Sequence, residues 1–250
     1  RTMKLNTPRW WYVRDSNHAR LTRTVLKPLG WLWAGVTARR IARAAPVDPG
    51  CAVVSVGNLT VGGSGKTPIA LDIAARLQAA GHAVALLSRG HGGRLVGPLQ
   101  VDPAVHSAAE VGDEPLLHAR VAPAWIARDR AAGAQAAIAA GARVIVMDDG
   151  FQNPALAKDI ALAVVDGHRG LGNGRVLPAG PLRAPLSVQL ARTDALVVVG
   201  DGTAADPVIA AVAARGRPVF RARIVPDRLA AEALHGQRVL AFAGIGDPAR

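Results

Sequence analysis

Residues 56–77, VGNLTVGGSGKTPIALDIAARL, join a β-rich run to a helical pattern through one glycine-rich turn. That order constrains the chain more than any other stretch. Glycines let backbone N–H groups crowd around phosphate oxygens, and a helix N-terminus adds its positive end. Gly62, Gly63, Ser64 and Gly65 form the turn; Lys66 is placed for the β- and γ-phosphates, and Thr67 for Mg²⁺. Lys66 is not compositional drift, because the chain holds 26 Arg and only 4 Lys. Pro68 falls early in the helix, where a missing N–H costs little. Thr60 occupies the position at which the usual formula carries its first glycine.

Downstream, apolar β-rich runs alternate with Ala/Leu-rich helical ones. Strands are expected at 52–56, 83–88, 143–148, 161–166 and 194–200, and helices at 66–80, 114–121, 129–140 and 205–215. Near-continuous apolar strands separated by helices predict an α/β fold, a P-loop NTPase-type parallel sheet with helices on both faces. Ligands then sit at the carboxyl ends of the strands, where the polar clusters fall.

Asp148 and Asp149 close the run RVIVMDDG, where an acidic residue orients Mg²⁺ and its waters; which of the two lies nearer the ion is open. Asp113 and Glu114 in VGDEPLL fit two roles. They open a helix, where acids are favoured, or they supply a carboxylate that takes a proton from an attacking hydroxyl, its neighbour near the metal. Arg89 in LLSRGHGG either touches phosphate or is solvated, and Arg128, Asp129 and Arg130 read as a helix start with solvated charges. The long Gly/Pro stretch GLGNGRVLPAGPLRAP, 170–185, carries Arg175 and Arg183 and has the length of a functional loop.

Net charge is +12, yet residues 1–43 hold ten Lys/Arg against Asp15 alone. The body is close to balance and poor in aromatics, which argues against nucleic acid as partner. The basic segment also holds Trp10, Trp11, Trp31 and Trp33, and PLGWLWAGVTA within it is uncharged. It is too short to cross a bilayer core, which needs about 20 residues. Tryptophans and arginines flanking an apolar stretch suit an anionic membrane surface; the alternative is a helix packed on its own domain. The single Cys51 excludes an internal disulfide framework. Zinc-ligand spacings and the Asn-Lys-x-Asp guanine reader are both missing from the sequence. Three regions are expected: a basic, Trp-rich membrane-surface segment (1–43), a P-loop kinase domain (44–215) and the start of a second, smaller α/β domain (216–250).

VGNLTVGGSGKTP, LSRGHGG, VGDEPLL, RDR, DDGFQ, DIALAVVDGHRGLGNGRVLPAGPLRAPL and FAGIGDPAR, in this order, resemble the tetraacyldisaccharide 4'-kinases, and LKPLGWLWAGVTARR resembles that family's membrane-associating helix. The resemblance implies transfer of the ATP γ-phosphate, with Mg²⁺, to the 4'-hydroxyl of a lipid disaccharide 1-phosphate at the cytoplasmic face of a bacterial inner membrane, the enzyme being peripheral or monotopic. No obligate protein partner is implied. Lys66 and Thr67 would serve ATP and Mg²⁺, with Thr60 part of the longer loop signature. Asp113 would be the base, Glu114, Asp148 and Asp149 would lie near the metal, and Arg89 and Gln152 along the site. His91 stands where the family usually has Tyr, and Asn153 where it has His. The family's second domain carries a His that pairs with the base, beyond Arg250; a chain ending there is expected to bind ATP with severely reduced turnover. The competing expectations are a P-loop kinase or ATPase with a small soluble acceptor, and a nucleotide-dependent switch module.

Overall fold

Valine, isoleucine, leucine and alanine fill the strands because both sheet faces are covered, so no position needs a polar residue facing water. The computed structural model describes residues 8–12, 17–225 and 228–238. In chain order its elements are α1 (Asn17–Ala42), β1 (Ala52–Asn58), α2 (Lys66–Ala79), β2 (Val84–Ser88), β3 (Leu99–Gln100), α3 (Ala108–Val111), α4 (Asp113–His118), β4 (Ala124–Ile126), α5 (Arg130–Ala139), β5 (Val144–Asp148), β6 (Ile160–Asp166), α6 (Leu186–Leu190), β7 (Ala195–Val199), α7 (Asp206–Ala213), β8 (Val219–Ala222) and α8 (Arg228–Leu234).

The strands lie in one sheet in the order β3-β4-β2-β5-β1-β6-β7-β8. All neighbours pair parallel except the short edge pair β3–β4, which is antiparallel. β1 is central: Val56 pairs with Asp148 of β5 on one side and with Leu162 of β6 on the other. The register thus delivers the phosphate-loop strand and the acidic strand to the same edge. Val56 packs with Ala70 and Ala74 of α2, whereas Val53 packs with Ala134 of α5 on a separate core. Full burial of Val53 or Val56 stabilises the fold by ~1.5–3 kcal/mol.

The segment 216–226, GRPVFRARIVP, which reads as a connecting strand ahead of the second domain, contains β8, which pairs with β7 as the last strand of the sheet. The run 237–250, QRVLAFAGIGDPAR, which reads as a strand, turn and helix opening that domain, lies outside the described residues from 239 onward. At the other end, α1 runs unbroken through Pro28. Its Gly30 faces the 170–185 loop; a Cβ there would approach Ala179 Cβ and Val176 O to 3.3 Å. Trp33 Nε1 donates to Arg183 O at 3.3 Å. The expectation that all four early tryptophans serve a membrane surface needs correction at Trp11. It is buried, donates from Nε1 to Pro178 O at 3.2 Å, and stacks edge-on with Trp10 at 5.8 Å. An indole with a carbonyl to bond is more stable inside the fold than at its surface.

Candidate active site

The turn after β1 is held by its own bonds. Asn58 Nδ2 donates to Gly62 O at 3.0 Å. Gly65 takes φ +83°, a left-handed conformation that a side chain would strain, and from it α2 begins at Lys66. The first N–H groups of α2 therefore open onto the turn formed by Gly62, Gly63, Ser64 and Gly65, as an anion cradle requires.

Thr60 is buried, and its backbone explains why no glycine is needed there. It bridges antiparallel to Leu182, while Val61 N donates to Pro181 O at 2.8 Å and Arg183 N to Leu59 O at 3.0 Å. The 170–185 loop is thus docked along the phosphate loop. Thr60 is placed as a support behind the turn, its carbonyl accepting from Arg183 Nε at 3.2 Å.

Lys66 Nζ lies 3.5 Å from Glu114 Oε1, and Thr67 Oγ1 donates to the same oxygen at 3.4 Å. Burial alone would lower the Lys66 pKa, but Asp148, Asp149 and Glu114 outweigh it and hold the ammonium above its ordinary value. α4 begins at Asp113, whose exposed carboxylate accepts the Glu114 N–H at 3.0 Å. Gly112 and Gly93 clamp this turn against the Arg89 loop: a Cβ on Gly112 would meet His91 O at 2.5 Å, and one on Gly93 would meet Glu110 O at 2.6 Å. Arg89 itself is exposed.

At the far end of α4, buried His118 sets Nε2 3.0 Å from Asp148 Oδ2, itself buried at the end of β5. His118 was not foreseen; its only sequence signal is a histidine five positions beyond Asp113, facing the core end of a short helix. Burial would raise the Asp148 carboxyl, but the hydrogen bond from His118, then Lys66 and the Thr67 hydroxyl, bring it below the usual carboxylate range. Asp148 Oδ1 stays buried without a hydrogen-bond partner of good geometry.

Asp149 takes φ +55°, left-handed for a residue with a side chain, at the point where the chain leaves the sheet. Its Oδ1 pairs with Arg183 Nη1 at 3.0 Å. Gln152 sits beside them with its amide engaged: Nε2 donates to Asn58 O at 2.6 Å and to Gln189 Oε1 at 3.2 Å, while Oε1 accepts from Arg183 Nη1 at 3.3 Å. Gln152 therefore ties β1, α6 and the long loop together. Arg183, read in the sequence only as a charge in that loop, proves to be a shared partner of Asp149, Gln152 and Thr60.

Arg130 overturns the expectation of solvated charges at 128–130. It is 3% exposed and donates to Ala127 O, and burial together with nearby Arg89 lowers its pKa to about 10, against the pull of Asp149 and Asp148. Asp129 does start a helix, accepting from Ala131 N at 2.9 Å and Ala132 N at 3.1 Å.

No three His, Cys, Asp or Glu side chains among the described residues converge into a complete metal cage. Mg²⁺ takes phosphate and water oxygens with only one or two protein oxygens. The unpartnered Asp148 Oδ1 beside the Thr67 hydroxyl fits that share, with Glu114 and Asp149 close to the same lysine.

Comparison with known proteins bears on the family. The family model described as LpxK, tetraacyldisaccharide-1-P 4'-kinase, matches residues 22–250. The tetraacyldisaccharide 4'-kinase of Nitrobacter winogradskyi is 55% identical over 246 residues, covering 98% of this chain and 72% of that protein. That of Phenylobacterium zucineum is 55% identical over 253 residues, covering 98% and 74%. Among solved structures, LpxK from Aquifex aeolicus in complex with ATP is similar at 30% identity with a TM-score of 0.64. The match covers 80% of this chain, which spans 64% of the length of that one.

Proposed function

The chain belongs to the tetraacyldisaccharide-1-P 4'-kinase family, and from that premise we propose that it transfers the γ-phosphate of ATP to the 4'-hydroxyl of a tetraacyldisaccharide 1-phosphate, the phosphorylation step of lipid A biosynthesis. The observation that carries the site assignment is the meeting of two segments at Glu114: Lys66 and Thr67 both reach its Oε1 from the phosphate loop, and Asp113 precedes it at the start of α4.

In phosphoryl transfer the protein contributes chiefly positioning and charge neutralisation. Here Gly62, Gly63, Ser64 and Gly65 cradle phosphates through N–H groups, and Lys66, kept charged by three carboxylates, faces the β/γ-oxygens. Thr67 and Asp148 would hold Mg²⁺, with Glu114 and Asp149 beside them, and the ion would neutralise phosphate charge when bound. Asp113 is exposed at the mouth of this site, where it accepts the proton of the sugar 4'-hydroxyl. Arg89, exposed next to Arg130, offers a cation to substrate phosphate, and Gln152 with Arg183 keeps Asp149 in place.

The acceptor is a lipid, and α1 suits it. Leu21, Val25, Leu29, Leu32 and Val36 follow one another at helical spacing and are each more than half exposed, as is Trp31 beside them. Arg20, Arg39, Arg40 and Arg43 are exposed around this stripe. No helix among the described residues is long and apolar enough to cross a membrane. A stripe of this kind lies in the headgroup region of an anionic leaflet, which gives a peripheral or monotopic enzyme at the cytoplasmic face of the inner membrane.

The test is a phosphoryl-transfer assay with Mg-ATP on a lipid disaccharide 1-phosphate and on soluble sugars, using a version extended to the length of the relatives. Labelled phospholipid product is expected. Product on a soluble sugar alone would refute the assignment. In the same assay Asp113→Ala should cut turnover by ~10²-fold or more while ATP affinity changes little; loss of ATP binding in a folded variant would mean that Asp113 has a different role.

A further inference from the structure

The helix that carries Asp113 and Glu114, α4, is six residues long. A helix that short has little stability of its own and takes its position from what it packs against. On one side Leu116, with Ala119 just past the helix end, packs on the cluster of Val111, Ala124 and Ile126. The opposite side faces the nucleotide site. Glu114 and His118 stand four positions apart and so share that face, one turn from each other. Both are bonded across it. Glu114 Oε1 meets Lys66 Nζ at 3.5 Å and the Thr67 hydroxyl at 3.4 Å, while His118 Nε2 lies 3.0 Å from Asp148 Oδ2 at the end of β5. The Thr67 hydroxyl reaches Asp148 as well. Phosphate loop, acidic strand and α4 thus close into one ring of bonds, in which His118 links the helix to the strand.

Burial by itself does not call for a histidine at position 118. It is 0% exposed, and an aliphatic side chain would fill the space without polar atoms to satisfy. Its Nδ1 is in fact buried with no partner, and such an unmet atom calls for an explanation. The bond from Nε2 supplies it: a carboxylate only accepts, so the bonded tautomer carries its hydrogen on Nε2. The last torsion of an aspartate is broad, and a donor fixed on one oxygen decides how the carboxylate is turned.

Given the kinase reading, in which Thr67 and Asp148 share the metal, we propose that His118 is a positioning residue: its Nε2–H fixes the Asp148 carboxylate and ties to it the helix that presents Asp113 and Glu114. His118 acts through these carboxylates, on the metal side by orienting Asp148 and on the acceptor side by holding α4 in place. Hydrogen-bond donors behind a metal-binding carboxylate are worth ~10–100-fold in metal affinity or activity. The phosphate loop is held separately, by Asn58 on Gly62 O and by the 170–185 loop, so nucleotide binding without metal does not depend on His118.

The experiment compares the chain with His118→Leu, His118→Gln and His118→Asn. Leucine keeps bulk and loses the donor, glutamine keeps a nitrogen near the place of Nε2, and the shorter asparagine puts its nitrogen near the place of Nδ1. ATP affinity is measured by calorimetry in EDTA and again with Mn²⁺, and the gain on adding the metal is the readout. Metal-free affinity should stay within about twofold in all four proteins, while the gain shrinks by about 10-fold or more in His118→Leu and His118→Asn and recovers in His118→Gln. An unchanged gain in every variant overturns the proposal. Equal shrinkage in all three does so too, because loss of the ring and not of the donor would be the cause. A parallel loss of metal-free affinity also overturns it, since His118 would then support the whole site. If His118→Leu does not fold, His118→Gln against His118→Asn decides by the same rule. A wild type without any gain overturns it as well, since Asp148 would hold no metal. In the version extended to the length of the relatives, His118→Leu should lower kcat with the acceptor KM little changed; a raised KM with kcat retained contradicts the proposal. A wild type that gains ATP affinity from Mn²⁺ but phosphorylates no lipid disaccharide would refute the acceptor assignment, and the binding comparison would still decide the role of His118.

Discussion

His118 and Asp148 show how much a single contact decides. A carboxylate buried at 1% exposure remains ionised only where donors and cations surround it, and His118 Nε2 lies 3.0 Å from it. Hydrogen bonds to charged groups contribute about 1.5–3 kcal/mol, and an unsatisfied partner left behind costs as much again in desolvation. His118→Leu should therefore lower stability in urea by about 2–3 kcal/mol, while His118→Gln, which keeps a donor, recovers much of it; equal losses would mean that volume and not the hydrogen bond matters. Gly57 acts by what it lacks. A Cβ there would stand 2.4 Å from Phe151 Cβ, so Gly57→Ala must push the loop bearing Asp149 and Gln152 off β1. Overpacking of this kind costs about 1–3 kcal/mol; ATP affinity should fall together with the denaturation midpoint, and an unchanged affinity would separate loop position from nucleotide binding. Lys66, Thr67, Asp148 and Asp149 were legible as residues because their spacing after apolar strands is local. Arg183, Arg130 and His118 were not, because each acquires its partners only from chain segments distant in sequence.

At the scale of elements, α1 reaches the catalytic edge through one intermediary. Gly30 and Trp33 fit it to the 170–185 loop, and that loop is in turn bonded to the phosphate loop. Its apolar stripe has no partner among the described residues, and burial of each such side chain in an acyl-chain boundary is worth ~1.5–3 kcal/mol. Val25→Glu with Leu32→Glu should reduce binding to anionic vesicles by at least tenfold in a flotation assay while leaving the melting temperature within about 2 °C, because both positions are over 60% exposed. Retained flotation would place the lipid contact elsewhere. The strand and helix positions of the sheet were read from apolar runs to within a few residues. β3, β4, α3 and α6 escaped, being two to five residues long, too short for a period to register. β8 falls in the run that reads as a connecting strand, and its pairing with β7 shows that it belongs to the same sheet.

Across the whole molecule, stability carries a trace of one buried lysine. Lys158 has a folded pKa of about 7 against an ordinary 10.5, so between those values the unfolded chain binds more protons than the folded one. Stability must then rise with pH through that window, and the contribution is smallest below pH 7, where both states are protonated. Urea midpoints of the wild type should gain on those of Lys158→Met as pH increases from 7 to 10; a constant difference would mean that Lys158 is not desolvated. The sequence by itself determined the nucleotide-binding class, the parallel α/β sheet and the lipid A kinase family, because a phosphate cradle needs glycines, a lysine and a helix start in fixed succession along one stretch of chain. Only the tertiary structure decided that Thr60 supports the turn from behind, that Trp11 and Arg130 are interior, and that His118 and Arg183 hold the acidic residues in place. Those roles depend on burial and on partners up to 167 positions apart, as with Trp11 and Pro178, and no local pattern encodes such a distance.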